Sequence, residues 1–232
     1  MILQAVGTRQ RPVFIGGTEM KKCVIISCRT LENEVMHILR ETGCNYSVYF
    51  LPLGLHSDPN KLREYIQNLI DSFGNVDTVL LCVSGCGGGT KGLRATTADL
   101  VIPKAADCID ILLSSTDANG PKRDPKGVFI TKSWIDASRN TVLDFEFMVR
   151  TRGKEQAVAA ARRLYNGFEH FYIIDTGTYD VSAVRQYLEP LMEAIHGTLD
   201  IIPGEYRVLW DLLCGNWENA FRIVPKGQIH TP

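Results

Sequence analysis

Short, nearly continuous runs of Val, Ile and Leu alternate with amphipathic stretches along the chain from about residue 20 onward. Strands look like this when helices cover both faces of a parallel sheet, whereas a sheet with one wet face alternates apolar and polar residues. The pattern predicts strands over 23–27, 47–51, 78–83, 99–102, 127–131, 171–175, 199–202 and 221–224. It predicts helices over 31–41, 60–73, 108–113, 154–168, 182–195 and 206–214. Strands and helices in this alternation give an α/β fold built on a largely parallel, doubly wound sheet.

A faint internal echo suggests two similar lobes with a site between them. Val24-Ile25-Ile26-Ser27-Cys28-Arg29-Thr30, a helix and Leu51-Pro52-Leu53-Gly54 are matched by Tyr172-Ile173-Ile174-Asp175-Thr176-Gly177-Thr178, a helix and Ile201-Ile202-Pro203-Gly204. Generic βαβ grammar produces the same echo without duplication. Residues 1–19 show neither period and read as an N-terminal extension, 20–120 as a first lobe and 121–232 as a second, with one continuous domain as the alternative. The linker candidate is 122–125, rich in charge and proline.

Composition narrows the class of protein. The 232 residues are 45% hydrophobic and 22% charged, which suits a folded globular chain with its own core. With 25 basic and 26 acidic residues and no long run of one sign, the electrostatic footprint of a nucleic-acid binder is missing. No apolar stretch reaches the roughly 18–20 residues of a membrane-spanning helix. Arg9, Arg11 and Pro12 interrupt any early apolar segment, so a cytoplasmic location is expected.

Seven cysteines are more than a chain of this size needs for staples. In doubly wound sheets ligands bind outside the carboxyl ends of the strands, and Cys28, Cys86 and Cys108 each fall there. A thiol beside a strand end or at a helix start is favoured as thiolate, the form that attacks electrophiles and binds soft metals. Three such ligands suit zinc or an iron–sulfur centre, with His56 as a possible fourth ligand, although a solvent-exposed capping-loop histidine is the plainer reading of that residue. Cys23, Cys44, Cys82 and Cys214 read as small buried hydrophobes.

The segment Ser84-Gly85-Cys86-Gly87-Gly88-Gly89-Thr90-Lys91-Gly92 is the most unusual. It fails the phosphate-loop pattern because Gly92, and not Ser or Thr, follows Lys91. Gly85, Gly87, Gly88, Gly89 and Thr90 are candidates to cradle a cofactor with backbone N–H groups, and a Cβ at Gly88 is then expected to obstruct binding. A plain tight turn is the alternative. Asp175, Thr176 and Gly177 are further cofactor-binding candidates, on the expectation that their loop shares an edge with the cysteine loops. Asp107 is a candidate acid/base or orienting group beside Cys108, and an N-cap explains it equally well.

These residues resemble a known family, catalogued as domain of unknown function 1638 and found mostly in anaerobic bacteria and methanogenic archaea. The resemblance runs from about Met20 to Gly227. It rests on Ser27-Cys28 with Glu34 downstream, Gly54-Leu55-His56, Cys86-Gly87-Gly88-Gly89 before Gly92-Leu93, Ile102-Pro103-Lys104 before Asp107-Cys108-Ile109, Ser115, Asp175-Thr176-Gly177 and Gly215-Asn216-Trp217. The family's pattern has cysteine at the positions of Cys28, Cys86 and Cys108. Its usual Arg and His are replaced here by Lys104 and Ala106, which weakens a ligand set that uses that histidine. The resemblance implies anaerobic one-carbon metabolism and a corrinoid methyl-transfer partner.

Three readings follow. In the first, Cys28, Cys86 and Cys108 hold a soft metal, an iron–sulfur cluster or a metal-bearing cofactor such as a corrinoid. In the second, Cys86 is the nucleophile of a metal-free enzyme acting on a small anionic substrate. In the third, the cysteines only pack in a regulatory protein.

Overall fold

A computed structural model of the chain describes residues 22–114 and 123–231. The N-terminal extension, Ser115 and Lys122 lie outside the described residues. Along the chain run β1 (Cys23–Cys28), α1 (Glu32–Thr42), β2 (Ser47–Leu51), α2 (Pro59–Ser72), β3 (Thr78–Cys82), β4 (Asp99–Pro103) and α3 (Cys108–Leu113). Then come β5 (Gly127–Ile130), α4 (Lys132–Ser138), α5 (Phe145–Arg152), α6 (Lys154–Leu164), β6 (His170–Asp175), α7 (Val181–Ile195), β7 (Thr198–Pro203), α8 (Arg207–Cys214) and β8 (Phe221–Val224). The protein is α/β, as the alternation predicts. The sequence pattern misses α4 and α5, of 7 and 8 residues; α5 lacks the clear apolar stripe of the equally short α8, which the pattern finds.

The chain divides into two compact units, one holding the described residues up to Ile111 and from Tyr206 onward, the other running from Leu112 to Glu205. The first carries a sheet in the order β2-β1-β3-β4-β8. Its first four strands are parallel, and β8 returns antiparallel against β4, with Phe221 opposite Pro103. That pairing draws the tail, grouped by sequence with the second lobe, into the first sheet. Because β1 has β2 on one side and β3 on the other, the order reverses there and successive crossover helices fall on opposite faces.

Burial explains why the strand runs are so continuous. Leu62, Ile66 and Ile70 of α2 pack on Val24, Ile26, Val79, Leu81, Leu100 and Ile102. The alternate residues Ile25, Leu80 and Val101 are buried as well, and α8 packs against β3, β4 and α1. Every residue of β3 is buried. A strand covered on both faces has no position at which a polar side chain meets water.

The second unit carries a parallel sheet in the order β5-β6-β7. Phe171 and Ile173 of β6 enter a core with Ile135, Phe145, Met148, Ala157, Ala161, Val184 and Leu188. Tyr172, between them, is only partly buried and stacks on Phe129 with ring centroids 5.1 Å apart. Among the described residues no helix is long and apolar enough to cross a membrane.

Candidate metal and thiol site

Four donor side chains reach the carboxyl edge of the first sheet from four different strands. Cys28 is the last residue of β1. His56 lies in the single turn Leu55–Ser57 that follows β2, where the Ser57 hydroxyl donates to the Gly54 carbonyl at 2.7 Å and Asp58 caps α2 through the Asn60 and Lys61 N–H groups. Cys86 opens the turn Cys86–Gly88 after β3, and Cys108 is the first residue of α3 after β4. The point where strand order reverses, between β1 and β3, is where such sheets bind ligands.

The sulfurs of Cys28 and Cys108 are 3.6 Å apart, and His56 Nε2 is 3.5 Å from Cys28 Sγ. Donor atoms of Cys28, His56 and Cys108 all lie within 4.8 Å of one another, the one such group of three or more Cys, His, Asp or Glu donors among the described residues. Cys86 falls outside that group of three, although Cys108 and His56 lie near enough to lower its thiol. All three cysteines are buried, whereas His56 is largely exposed. The site expected between the lobes thus draws its four donors from the first unit alone. His56 is the residue on which the plainer sequence reading, an exposed capping-loop histidine, is incomplete. It is exposed and also aimed at the sulfurs. The strand-end rule that selects the cysteines selects His56 as well, since β2 is the neighbour of β1.

The proton distribution follows from these contacts. The Cys108 thiol donates to Cys28 and holds it well below the usual thiol range against the opposing effect of burial, with His56 and Thr30 adding to the effect. The same thiol, helped by His56, brings Cys86 down to about 6, again against burial. Cys108, whose thiol donates to Cys28 and lies beside Cys86, is pushed well above the normal range by these neighbours and by burial. His56, hydrogen-bonded to Cys28 and Cys86, is pushed up to about 10. Lowered Cys28 and Cys86 thiols beside Cys108 and His56 make a soft, nucleophilic cluster, in which the imidazole would give up its proton to bind a metal.

The glycine loop is a spacer of exacting shape. Gly85 N–H donates to the Ala105 carbonyl and Cys86 N–H to the Ala106 carbonyl at 2.8 Å, while Gly88 and Gly89 N–H turn back to Gly85 and Cys86. The N–H groups of Gly85, Gly88 and Gly89, three of the five residues offered by sequence as a cradle, are therefore committed within the chain. Thr90 is buried, and its carbonyl accepts from Leu93. A Cβ on Gly85 would sit 2.6 Å from the Ala106 carbonyl oxygen, so only glycine lets the β3 and β4 loops approach closely enough to bring Cys86 beside Cys108. A Cβ on Gly88 meets nothing within 4 Å, and the requirement there is its φ of +96°. Cys86 itself has φ +40°, a left-handed conformation uncommon outside glycine.

Other sequence candidates have local structural work. Asp107 Oδ1 accepts the Ile109 and Asp110 N–H groups at 2.9 and 3.0 Å and caps α3, fixing the start of the helix that carries Cys108. Asp175, Thr176 and Gly177 end β6, which belongs to the other sheet, so they do not share an edge with the cysteine loops. There Asp175 Oδ1 accepts the Gly177 N–H, and the Thr176 and Thr178 hydroxyls are 2.9 Å apart. Cys82 is fully buried in β3, and burial pushes its thiol up. Cys23 and Cys44 precede the cores of β1 and β2, at the amino edge.

No curated protein and no solved structure matches the chain. A family model described as "Protein of unknown function (DUF1638)" matches residues 50–213, a span that contains His56, Cys86 and Cys108 and begins after Cys28. With most of its length inside that match, the chain belongs to the DUF1638 family.

Proposed function

We propose that the protein holds a single soft metal ion between Cys28, His56 and Cys108, with Cys86 at the fourth corner. The observation that carries this reading is the packing of three donor atoms from three different loops within 4.8 Å of one another. Bond lengths of about 2.3 Å to sulfur and about 2.0–2.1 Å to nitrogen put tetrahedral edges at about 3.8 Å for a sulfur pair and about 3.5 Å for sulfur and nitrogen. The two edges on hand are 3.6 and 3.5 Å. An iron–sulfur cluster spreads its sulfurs to about 6–7 Å, so the spacing favours one ion. Three cysteines and a histidine suit zinc in a closed, structural site, and with Cys86 displaced they leave an open position for a small ligand. In the corrinoid-linked one-carbon setting that the family resemblance implies, the same thiolates and imidazole are ligands for the metal of a bound cofactor.

A second reading is a thiol-dependent enzyme. It is favoured by Cys86, whose thiol lies at about 6 beside the His56 imidazolium, on a loop in left-handed conformation. A lowered thiol beside a cation suits attack on an electrophile that carries negative charge. Anaerobic purification with metal analysis and an absorption spectrum separates the two. About one colourless soft ion per chain supports the metal site, and visible bands redirect it to a cluster or corrinoid. Metal-free protein that takes up no added zinc or cobalamin, with Cys86 alone alkylated rapidly, supports the enzyme instead.

A further inference from the structure

We propose that the site is also a thiol switch for small hydroperoxides, in which Cys28 and Cys108 join in a disulfide that excludes the metal. The exclusion rests on the metal reading, because the two sulfurs consumed are two of its ligands; the disulfide itself rests on geometry alone. Both residues are free cysteines with sulfurs 3.6 Å apart, and a disulfide needs about 2.05 Å, a closure that side-chain rotation of order 1–2 Å supplies. Each sits at the end of a regular element, Cys28 on β1 and Cys108 on α3, so neither has a mobile loop to carry it away. Cys28, Cys86 and Cys108 are only 2%, 8% and 7% exposed, burial that screens out a bulky disulfide such as oxidised glutathione and restricts attack to an oxidant as small as a hydroperoxide.

The chemistry balances without any further reagent. The Cys28 thiolate attacks one peroxide oxygen, an S–O bond forms, the O–O bond breaks, and the departing hydroxide takes a proton to become water. Cys108 sulfur then attacks the sulfenic sulfur, the S–S bond forms, the S–O bond breaks, and the thiol proton leaves with the oxygen as a second water. Two electrons pass from the two thiols to the peroxide.

The test uses the full chain, stripped of metal with a chelator, freed of reductant and exposed to an equivalent of hydrogen peroxide before alkylation, digestion and mass spectrometry. The expected product is the peptide pair linked through Cys28 and Cys108. Cys86→Ser retains both partners and should still yield the Cys28–Cys108 link, while Cys86→Ser combined with Cys108→Ser should stop at a sulfenic acid on Cys28 that dimedone traps. Loading with zinc beforehand should slow linkage at least about tenfold, and oxidised glutathione should react at least about tenfold more slowly than peroxide. A dominant link through Cys86, sulfinic acid without a link, or equal rates with glutathione would overturn the switch. Linkage in a protein that takes up no zinc would sink the metal reading and leave the disulfide standing. Zinc uptake with no linkage would do the reverse.

Discussion

Both sheets are built on the same step, β1-α1-β2 in the first unit and β6-α7-β7 in the second, each a strand, a helix and an adjacent parallel strand. They use the carboxyl ends of those strands differently. In the second unit the side chains after the strands are hydroxyls and carboxylates that close turns: Thr131 Oγ1 accepts the Trp134 N–H at the start of α4, Asp175 holds Gly177, and Asp180 accepts the Ser182 and Ala183 N–H groups at the start of α7. In the first unit the corresponding positions carry sulfur and imidazole, with two caps beside them: Asp58 starts α2 after His56, and Asp107 fixes Cys108. The same backbone geometry serves chain architecture in one sheet and side-chain convergence in the other. What separates them is residue chemistry, together with a strand order that reverses only in the larger sheet.

The largest effect should come from removing a donor. Cys28→Ser is expected to lower affinity for a soft metal more than about 100-fold, beyond what loss of an outer hydrogen bond to a ligand typically costs. Thr131→Ala, at a strand end of the other sheet, should cost about 1 kcal/mol of stability and leave metal uptake unchanged. Zinc titration with a competing chelator, paired with thermal melts, checks both halves. Equal metal affinity in wild type and Cys28→Ser would erase the distinction between the sheets.

A smaller effect tests how the loops are held. Gly85→Ala puts a methyl group 2.6 Å from the Ala106 carbonyl oxygen and is expected to cost about 1–3 kcal/mol while also weakening metal binding, since the β3 and β4 loops must part. Gly88→Ala meets no atom within 4 Å and should cost about 1 kcal/mol through its backbone conformation, with metal binding intact. If Gly88→Ala were the variant that lost metal, the outer face of the loop would be touching the ligand and the spacer reading would be wrong.

How far the sequence could be read follows from the same physics. The strand runs of β1 and β3 were legible because both faces are buried, and Cys28, Cys86 and Cys108 were legible because strand ends are where doubly wound sheets keep their chemistry. His56 invites the plainer role, because a Ser-Asp pair after it signals a helix start whether or not the imidazole turns inward. The glycine loop looked like a cradle because composition reports conformational freedom and not where N–H groups point. Only the pairing of Gly85 and Cys86 with Ala105 and Ala106, across roughly twenty residues of chain, shows those donors to be spent. The assignment of Asp175 to the cysteine edge failed for a related reason: local pattern gives strands and turns, whereas membership of a sheet depends on long-range pairing.

The smallest expected effect sharpens the architectural half of the comparison. Asp144, buried at the start of α5, accepts the Phe147 N–H and the Tyr187 hydroxyl through Oδ1 and the Asn140 N–H through Oδ2, at 3.0, 2.8 and 2.9 Å. Burial works against its charge, yet those donors, with Arg139 nearby, hold its carboxyl below the usual range. A carboxyl depressed in the folded state contributes stability that is fully present above its unfolded value of about 3.9 and is lost as pH falls through the lower folded value. Asp144→Asn still offers a cap but has one oxygen for three donors, so it should melt below the wild type at neutral pH, by about 1 kcal/mol of stability. That gap should persist down to about pH 4 and close on further acidification, as the wild type loses the charge the variant never had. Melts followed by circular dichroism across this range read it directly. A gap that stayed constant into acid would mean that Asp144 acts by shape alone, and that its three donors do not favour the ionised form.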